Sequence, residues 1–209
     1  MDAGFTLLHI DEALLVLNKP AGLLAVPGRG PEGADSLAAR VQQSYPEART
    51  VHRLDMSTSG LMLLARGIEV QRRLGWAFEQ RTVHKRYEAV VHGSLAAGSG
   101  SIALPLAADW PNRPRQKVDT DHGKPSLTHW QVLQRDDVGR RTRLQLEPVT
   151  GRTHQLRVHL MAIGHPVVGD DLYGTDAGAE ARLLLHACEL RFDHPATGDA
   201  CHFISAAPF

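Results

Sequence analysis

Apolar residues along this chain come in short runs broken by polar clusters, glycine and proline, a pattern that favours strands over long helices. Phe5 to Ile10 and Leu14 to Leu17, parted by Asp11 and Glu12, predict a strand, a tight turn and a second strand. Asp35 is placed to cap a helix whose Leu37, Ala38 and Val41 share one face, with Pro46 stopping it. Leu61 to Ala65 is uninterrupted apolar sequence, as expected of a strand covered on both faces. Val70, Leu74, Ala77 and Phe78 then recur at helical spacing, with Arg72 and Arg73 on a solvated face. Tyr87, Ala89 and Val91 alternate with Arg86, Glu88 and Val90, which predicts a half-buried strand with Tyr87 turned inward.

Further on, Thr128 to Leu133 and Thr142 to Pro148 predict strands, the second with Thr142, Leu144 and Leu146 on one side. Thr150 to Thr153 opens a helix with Leu156, Leu160 and Ile163 as its stripe, and Gly164 to Asp170 predicts a turn entering another strand. His186, Cys188, Leu190 and Phe192 at period two, then Cys201 to Ile204, complete the strands. Strands dominate and about three helices cover them, which gives an α+β fold.

Composition narrows this picture. The 209 residues are 43% hydrophobic and 22% charged, ample for a core and sized for one large domain or two small ones. Lys plus Arg equals Asp plus Glu at 23 each, so no global field attracts nucleic acid and any RNA contact must come from a local patch. Cys188 and Cys201 are expected as buried free thiols. No apolar run approaches a membrane span and no leader pattern opens the chain, so the expectation is a cytoplasmic, unprocessed protein with no membrane partner, a monomer.

Candidate chemistry centres on Val51 to Gly60, a loop feeding the apolar strand that starts at Leu61. Asp55 lies two residues from Arg53, whose charge helps a partly buried carboxylate stay ionised; nucleophile, base and plain turn residue all fit that spacing. Tyr87 fits either a core ring or a surface on which an extruded base stacks. From Ala107 to Pro125 the chain is polar and proline-rich, with Arg113, Arg115 and Lys117 beside Trp110; a solvated linker and an RNA-binding loop both fit. Arg157, at the edge of its helix stripe, calls for a carboxylate partner, and Asp55 is the nominee. Lys19 reads as a solvated loop lysine, a phosphate contact or a group facing the active site, with Arg29, Lys85 and Arg86 as further phosphate candidates. His154 and His159 are five apart, without a His-Glu-x-x-His pattern, so no metal is expected.

Four segments carry a resemblance. His52-Arg53-Leu54-Asp55 followed by Thr58-Ser59-Gly60 resembles the catalytic motif of the RluA family of pseudouridine synthases. Asn18 to Leu23 resembles the family's first motif, Lys85 to Ala89 its tyrosine segment and Gly151 to His159 its arginine segment, in order over nearly the whole chain. The resemblance implies a pseudouridine synthase fold: a single catalytic domain over 1–209, a mixed and largely antiparallel sheet with flanking helices, and a central RNA-binding cleft. It implies that Asp55 is catalytic, that Arg157 holds it ionised, that Tyr87 stacks on the base and that Arg53 fills the space the base leaves. No cofactor is implied, since an isomerisation exchanges no group with a second substrate.

Many members carry a small RNA-binding domain ahead of the catalytic one, and here the first motif begins by residue 18, so none is expected. Pro46 to Asp55 and Asp109 to Val118 resemble the branch with two kinds of target, implying one uridine in a large-subunit rRNA stem-loop and one in the anticodon loop of certain tRNAs. The competing class is an RNA-binding module without turnover, for which the Asp55 loop matters no more than the basic loop. A protein kinase, suggested by the letters His-Arg-Asp, fails because Leu54 separates Arg53 from Asp55 and no Asp-Phe-Gly appears.

Overall fold

The apolar runs become twelve strands and three α-helices among the described residues, which in this computed structural model are 4–136, 138, 140–174 and 180–209. In chain order they are β1 (Thr6–Ile10), β2 (Leu14–Lys19), α1 (Leu37–Gln42), β3 (Ala48–Thr50), β4 (Ser59–Arg66), α2 (Ile68–Glu79), β5 (His84–His92) and β6 (Ser99–Ile102). There follow β7 (Leu106–Ala108), β8 (Gln116–Val118), β9 (Thr128–Asp136), β10 (Arg141–Pro148), α3 (Gln155–Ala162), β11 (Leu185–Asp193) and β12 (Ala200–Ile204). The chain divides into two compact units, one of residues up to Lys85 with His186–Pro208, the other of Arg86–Leu185 with Phe209.

In the first unit the strands run β1-β2-β4-β11, with β3 also paired to β4 and β12 to β11; every pairing is antiparallel except β4 with β11. Two cores flank this sheet. Leu14, Val16, Leu61 and Leu63 point into one with Leu74, Val83, Leu190 and Phe192, and Leu15, Leu17, Met62 and Leu64 point into the other with Leu37 and Val41. Burial on both faces is why β2 and β4 read as continuous apolar runs. Truncating a side chain such as Leu63 in this layer costs about 2–5 kcal/mol.

In the second unit β5-β10-β9-β6 form an antiparallel sheet. Ala89, Val91, Leu144 and Leu146 bury one face against Leu156 and Leu160 of α3, with Tyr87 packed at the edge of the cluster.

Several expectations change in detail. The cap of α1 is Ser36, whose hydroxyl accepts from the Ala39 amide at 3.2 Å, while Asp35 pairs with Arg40. The 107–125 segment is no unstructured linker: β7 and β8 pair as a hairpin, because Leu106 and Val118 have an apolar seat with Val158 and Tyr173. Gly164 to Asp170 leads into a single bridge, Val167 with Val91, and a turn instead of a strand. Cys188 is buried, Cys201 only partly so, and neither is in a disulfide.

Candidate active site

The Asp55 loop is pinned to its own unit from three directions. The Thr58 amide donates to the Asp55 carbonyl at 3.1 Å, closing a turn over Met56 and Ser57. The Gly22 amide donates to the Met56 carbonyl at 2.8 Å. Lys19, with 0% exposure, donates its ammonium to the carbonyls of Pro20, Leu23 and Met56 at 2.8, 2.7 and 3.0 Å. The lysine is therefore an internal strut of the loop and not a phosphate contact, a correction to the expectation drawn from its loop setting. The result is a half-buried carboxylate on a backbone with little freedom, while Arg53 of the same loop is exposed.

The motif's other letters have structural tasks. The Leu63 amide donates to His52 Nε2 at 2.9 Å, which places the ring proton on Nδ1, and the ring stacks on Phe78 at 4.6 Å between centroids. Burial, with the charge of Lys85 second, pushes the His52 pKa down to about 3, so this imidazole is neutral. Ser59 Oγ lies 2.8 Å from His186 Nδ1, and His186 Nε2 lies 3.1 Å from Ser205 Oγ, which also accepts from Asn18 Nδ2 at 3.0 Å. Gly60 sits where a Cβ would fall 2.3 Å from the Ala187 carbonyl oxygen, so only glycine lets β4 and β11 meet there.

In the second unit Tyr87 pairs with Leu146 across β5 and β10 and is half-buried. Arg157, 2% exposed, makes a two-pronged bond to Asp170: Nε to Oδ2 at 2.7 Å and Nη2 to Oδ1 at 2.6 Å. Nη2 also reaches Asp171 Oδ1 at 3.0 Å. Asp170 Oδ1 accepts in addition from the amides of Leu172 and Tyr173, both at 3.0 Å, so the carboxylate holding the arginine is itself held. The flanking motif residues are equally committed. Gln155 takes the Thr150 hydroxyl and the Arg152 amide on Oε1 and donates to Leu127 and Thr128 from Nε2. His159 Nε2 donates to the Leu104 carbonyl at 3.0 Å, and burial lowers its pKa.

The hairpin carries its three cations exposed. Arg113 stacks on Trp110 with Cζ 3.5 Å from the ring centroid, and Lys117 pairs loosely with Asp119 at 3.3 Å. Arg115 donates to the Leu172 carbonyl and lies 5.9 Å from the Tyr173 ring. Of the further phosphate candidates, Arg29 is exposed, Arg86 pairs with Glu147, and Lys85 is half-buried over the Phe78 ring with its pKa lowered by burial.

Within its unit the structure brings Arg115 and Arg157, far apart in sequence, to the same Tyr173 ring, whereas Arg53 with Asp55, and Arg113 with Arg115 and Lys117, are already neighbours along the chain. The sequence draws attention to Asp170 only as a metal candidate set aside and as the end of a turn, not as the partner of Arg157, and to Tyr173 not at all. A partial signal existed: a buried arginine needs a carboxylate, and Asp170 stands thirteen residues after Arg157, following the apolar Val167-Val168 and Gly169.

A family model described as RNA pseudouridylate synthase matches residues 13–162. The dual-specificity RNA pseudouridine synthase RluA of Yersinia pestis is 50% identical over 204 residues, 97% of this chain and 98% of that protein. Its namesake from Vibrio vulnificus is 53% identical over 190 residues, covering 88% of this chain and 76% of the other. Among solved structures, human RNA pseudouridylate synthase domain containing 1 superposes with a TM-score of 0.82 at 29% identity, covering 100% of this chain and 86% of that one. With residues 13–162 matched and identity of this extent, the chain belongs to the RNA pseudouridylate synthase family, in its RluA branch.

Proposed function

We propose that this chain converts uridine to pseudouridine at two kinds of RNA loop, one in large-subunit rRNA and one in the anticodon arm of certain tRNAs. The observation that carries the reading is the near full-length likeness to relatives named for dual specificity, at 50% identity over 97% of the chain. In the reaction the bond between the uracil N1 and the sugar C1′ breaks, the ring turns, a bond forms between C5 and C1′, the C5 proton leaves and N1 takes one up. Nothing is gained or lost overall, and no cofactor has a task.

Asp55 is the catalytic carboxylate, attacking the sugar or the ring, or taking the proton. A carboxylate on a pinned loop suits that work, since a reacting group held in place has little freedom left to lose. Arg157 favours the ionised carboxylate, and its two-pronged bond to Asp170 fixes the orientation of the guanidinium without itself supplying charge to Asp55. Tyr87 supplies the ring against which the extruded base stacks, and Arg53 occupies the gap it leaves. The hairpin holds phosphate through Arg113, Arg115 and Lys117. The enzyme works as a cytoplasmic monomer on stem-loops.

Mapping pseudouridines in total RNA from cells with and without the gene tests the reading. The expected result is loss of one site in large-subunit rRNA and one in a set of tRNAs. An unchanged map rejects the function, and loss from one RNA class alone rejects the dual target.

A further inference from the structure

We propose that Tyr173 is a positioning residue that couples the basic hairpin to the guanidinium of Arg157, so that seating RNA on the hairpin also sets the arginine. The inference deepens the function proposed above and rests on its reading of Arg157 and of the hairpin.

Tyr173 is buried, and its hydroxyl joins two elements. It accepts from the Gln116 amide of β8 at 2.7 Å and lies within hydrogen-bond distance of His154 Nδ1, also at 2.7 Å. Its ring stands 5.9 Å from the Arg115 guanidinium carbon and 5.2 Å from that of Arg157. Its amide donates to Asp170 Oδ1 at 3.0 Å, the same oxygen that Arg157 Nη2 reaches at 2.6 Å. Arg115 adds a second tie by donating to the Leu172 carbonyl within this turn. A shift of the hairpin is thus carried by short, directed bonds into the turn that fixes Arg157, and such shifts matter because small displacements at a reacting group are costly.

A tyrosine that only fills the core with Leu106 and Val158 makes a different prediction, because Tyr173→Phe keeps the ring and loses only the hydroxyl. Single-turnover rates at saturating RNA, across pH, are measured for the wild type, Tyr173→Phe, Arg157→Lys and the double variant, with circular dichroism confirming the fold. The expected result is a rate roughly 10- to 100-fold lower for Tyr173→Phe, an acid limb moved to higher pH, and no further loss when Tyr173→Phe is added to Arg157→Lys. A wild-type rate in Tyr173→Phe, or an equal loss in both backgrounds with Arg157→Lys itself slow, overturns the coupling and leaves the proposed function standing. A wild-type rate and pH profile in Arg157→Lys overturns the reading of Arg157 and this proposal with it. Should Arg157→Lys fail to fold, the acid limb of Tyr173→Phe decides alone, and an unmoved limb overturns the proposal.

Discussion

Lys19 shows how much a single residue can fix. Its ammonium is fully buried and donates to three carbonyls, so Lys19→Met leaves those carbonyls without that donor. The expected loss is about 3 kcal/mol or more, read as a lower urea midpoint, and a midpoint equal to the wild type contradicts the strut. His52 gives a prediction with a sign. The folded imidazole takes a proton only near pH 3, whereas the unfolded one does so near its ordinary 6.5. Below 6.5 the unfolded chain binds the extra proton, so stability falls with pH through that window by up to about 1.4 kcal/mol per unit and is unaffected above it. His52→Gln keeps an acceptor for the Leu63 amide and cannot titrate, so its stability should fall less steeply between pH 6.5 and 3; parallel curves contradict the assignment. Neither role was legible in the sequence. A lysine beside a proline and a histidine beside an arginine look solvated, and what engages them is the backbone of Met56 and of Leu63, later in the chain.

At the scale of elements, the sequence was most legible where burial is symmetrical. The apolar runs of β2 and β4 announced strands, that of β4 one covered on both faces, and the alternation of Leu144 and Leu146 announced one buried face of β10. It was least legible for β7 and β8, three residues each, whose pairing depends on Leu106 and Val118 finding Val158 and Tyr173. Strands that short have no period to read. The hairpin also carries the salt dependence. With few phosphates neutralised, affinity should fall with salt at roughly −0.7 to −0.9 in log–log slope per contact. Arg113→Ala, Arg115→Ala and Lys117→Ala should each weaken binding and flatten that slope by about one unit or less. Unchanged slopes in all three remove the hairpin from RNA binding. Arg115→Ala should also slow the chemical step at saturating RNA, because this arginine alone of the three touches the Leu172 carbonyl and the Tyr173 ring.

Across the whole molecule, 23 cations and 23 anions balance, and many pair within a unit, as Arg66 with Glu47, Arg86 with Glu147 and Arg143 with Glu88 do. The protein therefore has no broad field with which to gather RNA and depends on placed groups. The family and the catalytic motif were legible because four separated segments agree in order. The carboxylate that clamps Arg157 was not, because a turn aspartate and a buried one are spelled alike and only folding brings Asp170 to the guanidinium. Everything proposed for this chain converges on Asp55. The most direct measurement is pseudouridine formation by the purified wild type and the Asp55→Asn variant on an rRNA stem-loop and a tRNA anticodon arm, alongside their affinities for each. Two side chains of nearly equal size preserve the loop, so the variant should bind both RNAs as the wild type does and form no detectable pseudouridine in either, whereas appreciable turnover by Asp55→Asn would contradict the account.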